Sequence, residues 1–151
     1  QKFSNIIPAL YGFIPQTYCG KKTANFAGEK SGRKLKGDGD PLDICVFTER
    51  EIPHGDILVE VKVIGGMRMI DGGEADDKII AVLAQDEVYN FTDINEAPER
   101  LVNRLKHYFL TYKQLPGGEY NECEITHIYG SQEAKKVVQL SLDDYQDEFP
   151  Q

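Results

Sequence analysis

The hydrophobic period of this chain lengthens after residue 83, and that change restricts it to folds in which a run of short strands comes before the first amphipathic helix. Through residues 42–83 apolar side chains recur at a spacing of about two. Leu42–Phe47 alternates as a strand, and Ile57–Val63 alternates more strictly, with Glu60 and Lys62 facing out. Gly65-Gly66 should break that strand, Met67–Ile70 resume it, and Asp71-Gly72-Gly73 turn the chain. Ile79–Leu83 is a continuous apolar run, the mark of a central strand covered on both faces. From Pro98 the spacing becomes three and four, through Leu101, Leu105, Tyr108, Phe109 and Tyr112, which predicts an amphipathic helix stopped by Gly117-Gly118. Asn121–Tyr129 reads as another short strand. Ser131 then caps a final helix with Ala134, Val137, Val138 and Leu142 inward, and Asp143–Glu148 is expected to fray. Gly20–Gly39, rich in Gly, Lys and Ser, reads as a long loop. The class is α+β with a small, barrel-like sheet.

Length and charge narrow the function. At 151 residues the chain suits one domain, and no apolar run approaches the roughly 20 residues that span a bilayer. Net charge is −8, unevenly spread: residues 1–37 hold seven Lys/Arg and one Glu, and the remainder ten against twenty-four acids. An acidic body argues against nucleic-acid or membrane-surface binding, and against a small barrel module serving such partners. It suits a protein that gathers divalent cations. Cys19, Cys45 and Cys123 are odd in number and widely spaced, so reduced thiols in a cytosolic setting are expected rather than a disulfide framework or a thiolate zinc site.

Three stretches carry chemistry. Asp38-Gly39-Asp40-Pro41-Leu42-Asp43 packs three carboxylates into six residues, and a turn enforced by glycine and proline could bring them to one point. Three anions so close repel unless an oxygen-seeking cation such as Mg²⁺ neutralises them. An isolated Asp-x-Asp-x-x-Asp is as often a solvated turn. An EF-hand beginning at Asp38 fails at Leu42 and Asp43, and Gly20-Lys21-Lys22-Thr23 lacks the spacing of a P-loop. The second stretch, Met69–Lys78, lies between apolar strands and sets Asp76 and Lys78 on one face. The third is Tyr112-Lys113 at the end of the amphipathic helix, where a core tyrosine and a snorkelling lysine are the plain alternative. His54, His107 and His127 show no ligand spacing and read as surface or structural residues.

In this order the three stretches resemble the soluble family I inorganic pyrophosphatases. The signature Asp-small-Asp-Pro-apolar-Asp matches Asp38–Asp43, and Asp-x4-Asp-x-Lys matches Asp71, Asp76 and Lys78. The late Tyr-Lys pair matches Tyr112-Lys113, and an upstream aromatic-glycine segment matches Tyr11-Gly12-Phe13. The resemblance implies a closed five-stranded, OB-like barrel flanked by helices, in a cytoplasmic homo-oligomer that hydrolyses pyrophosphate with several Mg²⁺ ions. It implies that Asp38, Asp43 and Asp76 bind activating metals, and that Asp71 with Asp76 binds the metal arriving with substrate. Asp40 would be the base for the attacking water, Lys78, Tyr112 and Lys113 would hold phosphate oxygens, and Tyr11 would hydrogen-bond in the site. The family's N-terminal strand, with its glutamate, lysine and arginine, has no counterpart in this sequence. The alternative expectation is therefore a truncated or impaired relative that binds metal and phosphate without efficient turnover. The lysines and arginine of 20–36 could supply some of the missing positive charge, although a solvated loop is the plainer reading.

Overall fold

The computed structural model describes residues 9–49, 58–111 and 123–151. Tyr112, Lys113, His54 and Gly117-Gly118 lie outside the described residues. The strands are β1 (Ala9–Phe13), β2 (Lys36–Gly37), β3 (Asp43–Phe47), β4 (Val61–Asp71), β5 (Glu74–Ala75), β6 (Lys78–Leu83) and β7 (Cys123–Gly130). The helices are α1 (Lys21–Ser31), α2 (Glu99–Thr111) and α3 (Ser131–Glu148). Among the described residues no helix is long and apolar enough to cross a membrane.

One sheet runs β1-β3-β6-β4, with β7 also paired to β4 and a short arm in which β5 pairs the end of β4 and β2 pairs β5. β3 and β6 are parallel, and β1–β3, β6–β4 and β4–β7 are antiparallel. The sheet curls into a half-barrel, and the expected α+β, OB-like class holds. Among the described residues β1 and β7 are not paired, so closure of five strands is not observed.

Alternation divides the sheet into two cores. Cys45, Phe47, Ile80, Val82, Met67 and Met69 pack with Leu101, Leu105 and Phe109 of α2. Ile44, Val46, Ile79 and Ala81 pack with Tyr129 and with Ala134 and Val137 of α3. Ile79–Val82 is apolar throughout because each of its faces meets a helix.

Five local expectations are corrected. Gly65-Gly66 does not break β4. The strand runs straight through, with a register shift against β6 between Val63 and Gly65. A Cβ at Gly66 would lie 2.6 Å from the Tyr129 ring, and one at Gly65 2.6 Å from the Tyr129 carbonyl, so glycine here admits close packing rather than a turn. Within the expected strand Ile57–Val63, residues 58–60 are also not strand, since β4 begins at Val61 and Leu58 is exposed; Ile57 lies outside the described residues. Gly20–Gly39 is not a loop but contains α1, whose Ala24 and Ala27 are buried with Cys19, Leu35, Ile70 and Ala75. Finally, α3 does not fray after Asp143. It continues to Glu148 because Asp144 is buried against the start of α1, accepting from the Gly20, Lys22 and Thr23 N–H groups and the Thr23 hydroxyl. Gly130 rather than Ser131 is the N-cap of α3, and Asp93 accepts the Ser131 N–H.

Candidate active site

The site forms where the α2-side face of the sheet changes from apolar to charged. In β3 that face reads Phe47, Cys45, Asp43, and in β6 it reads Val82, Ile80, Lys78. Asp43 and Lys78 are register partners in the parallel pair, so the two strands deliver a carboxylate and an ammonium side by side. Asp76, two residues earlier, shares the face. Lys78 Nζ donates to Asp43 Oδ2 and to Asp76 Oδ1, both at 2.6 Å. Lys78 is only 4% exposed, and its ammonium lies 5.6 Å from the centre of the Phe109 ring. Burial alone would lower the Lys78 pKa, but Asp76 and Asp43 outweigh it and raise the pKa above the ordinary lysine value.

Asp71 comes from a hairpin. Gly72 and Gly73 both have positive φ (59° and 83°), the requirement of the two-residue turn joining β4 to β5, and Asp71 is thereby paired with Glu74. Like charges at paired positions destabilise a ladder unless a cation neutralises them. Asp38 and Asp40 sit on a turn held mainly through backbone. The Asp40 N–H donates to Asp38 Oδ1 (3.0 Å), the Cys19 N–H donates to the Asp40 carbonyl (2.9 Å), and the Gly39 N–H donates to the Cys19 carbonyl (3.1 Å). Cys19 Sγ in turn donates to the Ala75 carbonyl, tying the turn to β5. Burial pushes the Asp38 carboxyl up to about 7, with the Asp40 N–H opposing and the charges of Asp76 and Asp40 adding.

These residues line one cleft of about 850 Å³, whose walls are Tyr11, Asp38, Asp40, Asp43, Met69, Asp71, Gly72, Glu74, Asp76, Lys78, Tyr108 and Phe109. The seven expected site residues among those described thus lie on one cavity. Tyr11 reaches it from β1, its ring 5.9 Å from Phe109; burial raises its hydroxyl pKa above the ordinary value, Lys78 opposing and Asp43 adding. Sequence reasoning missed Glu74, whose signal was the Gly-Gly turn that sets it opposite Asp71. It also missed Tyr108 and Phe109 as walls, because their helical spacing marks them equally well as core. The basic residues of 20–36 do not line this cleft. Lys22 pairs with Asp147, Lys30 with Glu133 and Arg33 with Glu124, so they neutralise α3 and β7 instead.

The donor set suits a hard cation: carboxylate oxygens only, with Asp71 set opposite Glu74 across the hairpin. Among the described residues no three acidic, His or Cys side chains already surround a single point at ligand spacing. An open arrangement of this kind fits Mg²⁺, which is usually held by one or two carboxylates together with substrate phosphates rather than by an all-protein cage.

Comparison with known proteins agrees. The sequence model of the inorganic pyrophosphatase family matches residues 2–146. The chain is 50% identical to the inorganic pyrophosphatase of Chlamydia caviae, over 99% of this chain and 72% of that protein. It is 37% identical to soluble inorganic pyrophosphatase 2 of Chlamydomonas reinhardtii, over 97% of this chain and 66% of that one. The crystal structure of the inorganic pyrophosphatase from Thermus thermophilus superposes with a TM-score of 0.74 at 30% identity, covering 92% of this chain and 70% of that one. Motif order, cleft and relatives converge, and the chain belongs to the inorganic pyrophosphatase family.

Proposed function

We propose that this chain, as a single domain, hydrolyses pyrophosphate to two phosphates with Mg²⁺ as its cofactor. The observation that carries the reading is the meeting of two separate acidic stretches with a buried lysine on one cleft. Asp38, Asp43, Asp71 and Asp76 would hold the ions. Divalent cations there would neutralise the polyanion and acidify water at the site, which makes attack on a phosphoanhydride feasible near neutral pH.

The chain's own groups do the rest. Asp40 is exposed at the cleft, and no other described side chain donates to its carboxylate, so it is free to take a proton from the attacking water. Lys78 keeps its charge and donates to an oxygen of the departing phosphate, where negative charge grows. Tyr11, its hydroxyl kept protonated, adds a second donor, and Tyr112 and Lys113 add two more. Phe109 and Tyr108 wall the cleft and thin the water around Lys78, which strengthens each of these bonds. The same reading has the protein acting in the cytoplasm as a homo-oligomer, on a small anion rather than on nucleic acid or a membrane, in keeping with its −8 charge.

The test is phosphate release from pyrophosphate while Mg²⁺ is titrated and then removed with EDTA. Turnover that needs Mg²⁺ and stops on chelation is expected. EDTA-insensitive hydrolysis would contradict the reading, and so would binding of metal and phosphate with no turnover.

A further inference from the structure

Behind the cleft lies a buried ionic cluster that the reaction above does not use. Arg68 is 0% exposed and Asp77 4%. Arg68 Nη2 donates to Asp77 Oδ2 at 3.1 Å, Arg68 Nη1 to Glu133 Oε2 of α3 at 2.7 Å, and the Tyr129 hydroxyl to Asp77 Oδ2 at 2.7 Å. The guanidinium lies between two rings, 4.6 Å from the centre of Tyr129 and 5.6 Å from that of Phe26.

Two features of its location matter. Asp77 stands between Asp76 and Lys78 in sequence, and its side chain meets Arg68 and Tyr129 on the α3 side while theirs meet in the cleft. It also sits in a gap. β5 ends at Ala75 and β6 begins at Lys78, so Asp76 and Asp77 belong to neither strand; the Asp76 N–H donates to the Met69 carbonyl at 3.0 Å, which ties the backbone of this stretch to β4. On the other edge of β4 the register with β7 shifts between Arg68 and Met69. Bulges of this kind re-aim side chains beside active sites. Two irregularities therefore meet at Arg68, and its side chain spans the place where ladder bonds are missing.

We propose that Arg68, Asp77 and Tyr129 form a positioning brace that holds Asp76 and Lys78 at their working geometry in the cleft. The inference rests on the pyrophosphatase reading for the meaning of that geometry. Stability alone does not account for such a cluster. Burying an ion pair is often no better than filling the same volume with apolar side chains. Among the described residues Arg68 Nε and Asp77 Oδ1 have no hydrogen-bond partner, a further cost to stability. What the cluster supplies is direction: one arm of the guanidinium and a hydroxyl fix one oxygen of Asp77, the other arm ties the guanidinium to Glu133, and through the backbone they fix the residues on either side of Asp77.

The test replaces the pair by apolar residues of similar size, R68M/D77L, and adds Tyr129→Phe, Asp77→Asn and the conservative Arg68→Lys. Thermal unfolding, Mg²⁺ binding by calorimetry, inorganic phosphate binding, and kcat and KM for pyrophosphate are measured on each. The brace predicts that R68M/D77L keeps a wild-type-like Tm yet loses roughly 10–100-fold in Mg²⁺ affinity or kcat, the usual effect of removing groups that orient a metal site. Tyr129→Phe and Asp77→Asn should show smaller losses of the same kind, and Arg68→Lys should recover part of the activity. If R68M/D77L does not fold, Tyr129→Phe, which deletes one oxygen, decides alone: an active site unchanged in affinity and kcat overturns the brace. A lowered Tm with unaltered Mg²⁺ affinity and kcat in the folded fraction overturns it too. Wild-type protein that does not hydrolyse pyrophosphate defeats the reading of function instead, while the calorimetric comparison still judges the brace.

Discussion

The two acidic stretches of the cleft carry the same chemistry on different supports. The turn at residues 38–43 is positioned by backbone bonds to Cys19, and its Asp40 carboxylate stands in solvent. The stretch at 71–78 is positioned by a hairpin, by a buried ion pair behind it, and by a lysine shared with the first stretch. The turn's anchorage runs outward instead: Cys19 leads to Gly20 and α1, and α1 is held by Asp144 near the end of α3. On the first support the exposed Asp40 carboxylate can therefore be altered for its chemistry alone. A group on the second cannot be changed without disturbing a buried network.

The largest expected effect follows directly. Asp40→Asn should lower kcat by roughly 10²-fold or more, the scale of a lost general base, while urea unfolding stays within about 0.5 kcal/mol of wild type. Asp76→Asn should damage both quantities, because Lys78 is buried and would keep only Asp43 as a full counter-charge. Equal stability for the two variants would erase the contrast. Next, Asp144→Ala removes the acceptor of three backbone N–H groups and a hydroxyl at the start of α1, and should cost about 2 kcal/mol by denaturant unfolding. A loss below about 0.5 kcal/mol would mean that α1 does not depend on α3.

A smaller effect concerns pH without metal. Asp38 titrates at about 7 in the folded chain and near 4 when unfolded, so between those values the folded state holds the extra proton. Its contribution to metal-free stability therefore falls as pH rises through that window. Asp38→Asn should remove this slope relative to wild type, and saturating Mg²⁺ should flatten it; identical slopes in the two proteins would contradict the assignment. The smallest effect is at the surface. Arg33→Ala breaks an exposed pair with Glu124 and should leave both stability and turnover close to wild type. A clear loss of phosphate affinity would return the basic segment to the active site.

What could be read from sequence divides along the same line. The motifs at 38–43 and 71–78 were legible because their chemistry is unusual at short range, β6 because its apolar run is unbroken, and α2 because its spacing of three and four is clean. α1 was not, since glycines and lysines conceal a helix whose first turn is capped by a carboxylate 121 residues away from Thr23. Gly65-Gly66 looked like a break because a missing side chain can signal either a turn or a ring packed against the backbone, and only Tyr129 distinguishes the two. Asp77 and Arg68 passed unnoticed because, from sequence alone, a charge that faces inward cannot be told from one that faces water.

Cooperation between the two supports can be measured with a double-mutant cycle on Mg²⁺ affinity, by calorimetry, using Asp38→Asn and Asp76→Asn singly and together. If the turn and the strand grip the same ion, the paired variant loses much less than the sum of the single losses. Losses that add to within about 0.5 kcal/mol would mean that the carboxylates act at separate places, and the shared metal site would have to be abandoned.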